Sequence, residues 1–219
     1  MRYLVTTVSL VLLTLTPAIN FAQDEMDVPG GPAPAPLKSY TGLSWGAAHT
    51  IWNGRWSNEG YPEAGTLGPL VSLRKISPIN SKLAIVPYLT YYVLNSRVSV
   101  SCDTCANGTQ SIRTYFREID LGLNLQATPW PKCPEWYFGG GPSVRWGQSG
   151  RRVGNEQRPG TVRKAAWFGL TALVGYRFDW GKSRAVFFEP QLTFSPDFAD
   201  RWQRNYPPDV FNVQMGFLW

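Results

Sequence analysis

DVFNVQMGFLW, residues Asp209 to Trp219, sets Phe211, Val213, Met215, Phe217 and Trp219 at every second position, with Val210, Asn212, Gln214, Gly216 and Leu218 between them. A strict period of two over about ten residues is a β-strand with one apolar face, and a tilted strand of that length crosses the hydrocarbon core of a bilayer. The same template predicts seven more strands: Tyr40 to Ile51, Thr66 to Ile76, Leu83 to Leu94, Thr114 to Thr128, Glu135 to Trp146, Ala166 to Trp180 and Ala185 to Ser195. Tryptophan (10), tyrosine (10) and phenylalanine (11) are plentiful, Gly and Pro punctuate throughout, and long helical periodicities are absent, which is an all-β composition.

The connections alternate. Long segments (52–65, 95–113, 147–165, 196–208) exchange with short ones (77–82, 129–134, 181–184). An even number of strands with short turns at one end and long loops at the other is the layout of an outer-membrane barrel, and it puts both ends of the barrel on the periplasmic side. Pro87 and Pro190 share parity with apolar neighbours; each removes a ladder donor, so a local bulge or bend is expected there.

Which face looks inward follows from composition. The apolar faces hold Ile119, Leu121, Leu123 and Leu125, then Phe168, Leu170, Ala172, Val174, Tyr176 and Phe178, then Phe188, Pro190, Leu192 and Phe194. Glycines recur on the opposite faces (Gly122, Gly139, Gly141, Gly169, Gly175, Gly216), as a narrow lumen filled by side chains requires and a solvated face does not. Every lysine lies at a strand end, turn or linker. The polar face is therefore the lumen. Trp136, Trp180 and Trp219 near the short turns, and Tyr91, Tyr115, Trp146 and Trp167 near the long loops, read as two aromatic girdles.

At the other end, Met1 and Arg2 precede an apolar run from Tyr3 to Leu15, then Pro17 and small residues at Ala18 and Ala22. The run is shorter than the roughly 20 residues of a spanning helix, so 1–22 reads as a secretory signal peptide. Residues 23–39, with Pro32, Pro34 and Pro36, read as a Pro-rich periplasmic linker, and 40–219 as one barrel domain. No stretch in that domain approaches 18 consecutive apolar residues, so a helical span is not expected.

Six charged residues share lumen parity: Glu118, Asp120 and Glu189 against Arg74, Arg145 and Arg177. Such a set serves either an ion pathway or a salt-bridge plug. An eight-stranded interior is just wide enough for side chains, which favours the plug and predicts no open pore. Cys102 and Cys105 form a C-x-x-C in a long loop; with no second cysteine pair or histidine cluster to complete a metal site, a loop disulfide is expected in an exported chain, and no metal or cofactor. Cys133 is left over in a short turn. Arg151, Arg152, Arg158, Arg163 and Lys164 make the third long loop basic, suited to lipopolysaccharide phosphates or an acidic partner, or else solvated. Export excludes nucleic acid, although the formal net charge is +6.

The export signal, the eight alternating strands, the Tyr137-Phe138-Gly139-Gly140-Gly141-Pro142 strand start and the terminal Trp219 together resemble the small outer-membrane β-barrel family of OmpA-type and OmpX-type barrels. The resemblance covers Tyr40 to Trp219. It implies an eight-stranded antiparallel up-and-down transmembrane β-barrel in the outer membrane of a Gram-negative envelope, monomeric, surrounded by outer-membrane lipids and lipopolysaccharide. It implies too that Phe217 and Trp219 are part of the signal read by the barrel-assembly machinery; the peptidoglycan-binding domain that some members carry is not expected after the last strand. Members serve structural, adhesive or resistance roles. Some barrels of this size act on lipid A with a His-Ser pair; here His49 is followed by Thr50, Ile51 and Trp52, without the His-x-Ser arrangement, so no catalytic residue is assigned. A lipid A-modifying enzyme and a small-solute channel stand as alternatives.

Overall fold

In a computed structural model, residues 38–51, 67–101, 108–130, 133–153, 156–157, 163–180, 183–195 and 209–219 are described. They form β1 (Tyr40–Ile51), β2 (Leu67–Pro78), β3 (Leu83–Ser101), β4 (Thr109–Ala127), β5 (Trp136–Val153), β6 (Glu156–Gln157), β7 (Arg163–Asp179), β8 (Ala185–Phe194) and β9 (Asp209–Leu218). The two residues of β6 pair with the tip of β5. The other eight strands form a closed antiparallel up-and-down barrel in the order β4-β3-β2-β1-β9-β8-β7-β5, with β4 pairing β5 to complete the ring. The described residues contain no helix. At the seam between β1 and β9, Thr41 N donates to Trp219 O and Trp219 N to Thr41 O, both at 2.8 Å.

Alternation in sequence becomes alternation in burial. Along β9, Phe211, Met215 and Phe217 are exposed while Val210, Asn212, Gln214, Gly216 and Leu218 are buried. Around the ring Leu43, Trp45, Val71, Leu73, Leu89, Leu121, Val144, Phe168 and Phe188 likewise point out. A water-soluble monomer seldom exposes an apolar patch of more than a few hundred Å², so a band on every strand is a surface suited to hydrocarbon.

Three features depart from the sequence reading. First, β3, β4 and β5 run on to Ser101, from Thr109 and to Val153, so the second long loop shrinks to 102–108 and the hairpin stands above the band. Apolar periodicity, which marks a strand by its buried side, fades there in the sequence while the ladder continues. Second, the ladders facing Pro87 and Pro190 lapse but resume in the same register, Arg74↔Tyr88 to Ser77↔Ile85 and Leu173↔Gln191 to Tyr176↔Phe188. Each proline is accepted without a bulge, its missing N–H turned to one neighbour. Third, Trp167 is not in the outer girdle. It is buried in the lumen, with its ring centroid 6.5 Å from that of Phe116, because Gly147 leaves the room: a Cβ there would lie 2.8 Å from the indole. Trp136, Trp146, Trp180 and Trp219 are exposed, as a girdle requires.

The expected signal peptide and most of the linker (1–37), the loops 52–66 and 196–208, and both Cys102 and Cys105 lie outside the described residues.

Candidate functional site: the lumen

The inward face is layered. At the short-turn end, Tyr40, Ile76, Ala84, Val86, Ala185, Phe187 and Leu218 form an apolar cluster; at the long-loop end, Ala48, Leu70, Tyr92, Leu94, Phe116, Trp167 and Val210 form another. Between them lies a band of buried polar and charged side chains.

In the lower half, Glu189 of β8 accepts four hydrogen bonds. Arg74 of β2 provides two in a bidentate fork, Nη1 to Oε2 at 2.7 Å and Nη2 to Oε1 at 2.9 Å. Tyr137 of β5 donates its hydroxyl to Oε2 at 3.0 Å, and Gln214 of β9 donates Nε2 to Oε1 at 2.9 Å. The Gln214 carbonyl in turn accepts from Ser44 Oγ at 2.8 Å. Arg74 also lies 4.2 Å from the centroid of the Phe187 ring. β2 and β8 are separated by β1 and β9 around the wall, so the Arg74–Glu189 pair bridges the lumen.

In the upper half, Arg145 of β5 donates Nε to Glu118 Oε1 at 2.6 Å and Nη2 to Oε2 at 3.2 Å. Tyr92 of β3 donates its hydroxyl to Glu118 and accepts Arg145 Nη2 at 2.9 Å; Arg145 Nη1 donates to Ser195 Oγ at 2.9 Å. Arg145 and Glu189 are 0% exposed and Glu118 1%. Removing such charges from water costs several kcal/mol each, offset only where geometry is good and the remaining lone pairs are bonded, a condition both carboxylates meet. Between the two pairs, Thr90 donates to Ser72 at 2.8 Å, Thr171 donates to Asn124, and Tyr88 donates to Asp120 Oδ2 at 3.3 Å.

Of the six lumen charges read from parity, the structure gathers Arg74 with Glu189 and Arg145 with Glu118, and places Asp120 between the layers. Arg177 stands apart at the short-turn mouth, two residues from the end of β7. Its Nε lies 3.2 Å from Asp179 Oδ1 without hydrogen-bond alignment, and its guanidinium is 5.7 Å from the Tyr40 ring. Tyr92, Tyr137 and Gln214, which share the carboxylates, were legible only as inward-facing residues.

The remaining candidates fall elsewhere. His49 is exposed on the outer face, with Leu67 and Phe211 as its ladder partners; the carboxylate of Asp209, opposite Ile51, accepts from Ser195 N at 3.3 Å. Cys133 is an exposed free thiol in the β4–β5 turn. Phe217 and Trp219 point outward at the seam, Phe217 at 5.7 Å from the Trp45 ring. Arg151, Arg152, Arg163 and Lys164 extend the ladders of β5 and β7, and Lys164 is exposed; Arg158 lies outside the described residues. Among the described residues, no group of three or more His, Cys, Asp or Glu side chains could hold a metal ion.

Neisserial surface protein A matches 84% of this chain and 97% of its own length at 9% identity, with a TM-score of 0.52. The fold is the small outer-membrane β-barrel. Ail, the attachment invasion locus protein of Yersinia pestis, covers 83% of this chain and 98% of its own at 11% identity, with a TM-score of 0.45, and 0.44 when in complex with the heparin analogue sucrose octasulfate. No protein-family model matches the chain, and no curated protein matches it. In a small barrel of this kind the bore is about as wide as its side chains, and here the Arg74–Glu189 and Arg145–Glu118 pairs lie within it.

Proposed function

We propose that the chain is an integral outer-membrane β-barrel whose lumen is closed by the two ion-pair layers and whose role is structural or in surface interaction at the long-loop end. The observation that carries this reading is the inversion of the usual protein: apolar side chains exposed around the whole wall, and buried arginines and glutamates inside it. Lipid would surround the band, with Phe217 and Trp219 read by the assembly machinery, and closure of the ring within one chain supports a monomer. A lipid A-modifying enzyme would need a nucleophile beside His49, whose ladder partners are Leu67 and Phe211. A solute channel would need a wet bore, where Arg74 and Glu189 meet across it.

Fractionation tests the reading. The mature chain should sediment with the outer membrane and migrate faster unboiled than boiled, since a closed barrel resists detergent until heated. Trp219→Asp should lower the outer-membrane level while costing little in the membrane itself, because a charge near the interface costs only about 0 to 1 kcal/mol. A soluble wild type, or full insertion of Trp219→Asp, would contradict the membrane reading and the insertion-signal reading respectively.

A further inference from the structure

The upper parts of β3, β4, β5 and β7 carry a second charged arrangement, on the outside of the wall. The ladder puts Arg97 opposite Arg113 and Arg113 opposite Arg152, so three adjacent strands bring an arginine to one height. Nearer the apolar band, Arg117 stands opposite Gln148, and Gln148 opposite Lys164. Arg97, Arg113, Arg117 and Lys164 are all exposed. They share the face that lower down presents Tyr91, Leu121, Val144, Trp146 and Phe168.

Same-face residues follow one another at about 6.6 Å along a strand. The Arg117–Lys164 row is therefore one step above the row of Tyr91, Ile119 and Trp146, and the Arg97–Arg113 row is three steps above it. Tyr115 lies between the rows, its ring 5.7 Å from the Arg117 guanidinium. Among the described residues, this face of the four strands holds no carboxylate above the aromatic row; Glu118 and Asp120 of the same strand turn into the lumen. Like charges directly opposed on a sheet destabilise it, so rows of arginine without acids are an arrangement that an anion relieves.

We propose that this outer face binds the phosphates of a phosphorylated glycolipid of the outer leaflet. The lower row meets phosphates next to the acyl chains, and the upper row meets those farther out on the headgroup. The inference rests on the reading that the barrel spans the outer membrane with its long-loop end outward. A lipid is the occupant, rather than a soluble anion or an acidic protein, because the basic rows continue the apolar band on the same face. Acyl chains lying on Leu121 and Val144 deliver their headgroup to the arginines, whose planar forks suit phosphate oxygens.

The test uses the barrel in nanodiscs of zwitterionic phospholipid, titrated with lipopolysaccharide, with the same lipopolysaccharide after dephosphorylation, and with inorganic pyrophosphate. Near an anionic lipid surface each basic group contributes about fivefold, so Arg97→Gln/Arg113→Gln/Arg117→Gln should bind lipopolysaccharide roughly a hundredfold more weakly than wild type. Dephosphorylated lipopolysaccharide should bind wild type no better than it binds this variant, and Lys75→Gln, at the opposite end of the wall, should bind as wild type does. Arg113→Gln alone should lose about fivefold, which keeps the test decisive if the triple variant does not fold. Equal binding by wild type and folded variants, or equal binding of the two glycolipids, would overturn the site. Pyrophosphate binding as tightly as lipopolysaccharide would overturn the lipid as its occupant. Heat-modifiable migration of each sample separates these failures from that of the membrane reading: a wild type that is never heat-modifiable refutes the spanning barrel and this inference with it.

Discussion

Glu189→Ala should destabilise the barrel by about 3 to 5 kcal/mol, the usual cost of removing one partner of a buried ion pair. The carboxylate accepts from Arg74 twice, from Tyr137 and from Gln214, and nothing in its place would answer those donors. Arg74 is itself buried and would keep a full charge in a space with little water. Urea unfolding of the refolded barrel in lipid vesicles measures the loss, with Glu156→Ala as the reference, expected to change stability by no more than about 0.5 kcal/mol. The paired change Arg74→Met with Glu189→Leu should recover most of what the single change loses, since replacing both partners by apolar groups leaves no stranded charge. A Glu189→Ala barrel as stable as wild type would mean that water reaches Arg74, and the plug reading would fail.

Gly175→Val should be the next most damaging change. Gly175 of β7 lies opposite Tyr137 of β5, and a Cβ at position 175 would lie 2.1 Å from Cζ and 2.3 Å from the hydroxyl of Tyr137, a clash with the end of its ring. The ring rests there in order to bring its hydroxyl to Glu189, so the added side chain either drives the tyrosine off the carboxylate or bends the wall. Overpacking of this kind costs about 1 to 3 kcal/mol, with the lost hydrogen bond to a charged group adding about 1.5 to 3. Tyr137→Phe should show the second part by itself. Combining the two should cost less than their sum, because both remove the same bond. Full additivity in that cycle would show that Gly175 serves some purpose other than seating Tyr137.

The faces of this barrel were readable because a strand's side chains alternate whatever its neighbours are. Tyr40 to Ile51 emerged with the bounds that periodicity suggests, and Glu118, Asp120, Arg145 and Glu189 have the inward orientation that parity requires. Height in the bore was not readable. Partners across a barrel depend on the register of every intervening strand, which no single segment carries. Thus Arg177 shares parity with Arg74 yet stands at the mouth, and Arg145, ladder partner of Asp120, turns its guanidinium to Glu118.

The apolar lumen clusters are hidden in the sequence for a related reason. Phe187, Phe116 and Trp167 sit on faces that are polar elsewhere, and they gather with other apolar side chains only toward the two ends of the bore. For Trp167 the parity of Phe168 and Leu170 already pointed inward. The arginine rows on the outer wall are not legible in the sequence, because Arg97, Arg113 and Arg117 lie within what apolar periodicity reads as loop or strand start. Their alignment exists only in the ladder.

Whether the bore is closed is the central question, and conductance answers it most directly. Wild-type protein reconstituted into planar bilayers, with insertion verified by heat-modifiable migration of the same preparation, should pass no steady single-channel current. Glu118 with Arg145 and Glu189 with Arg74 occupy the interior that ions would need. Large, steady unitary conductance from folded wild-type barrels would contradict the plug and make this chain a channel.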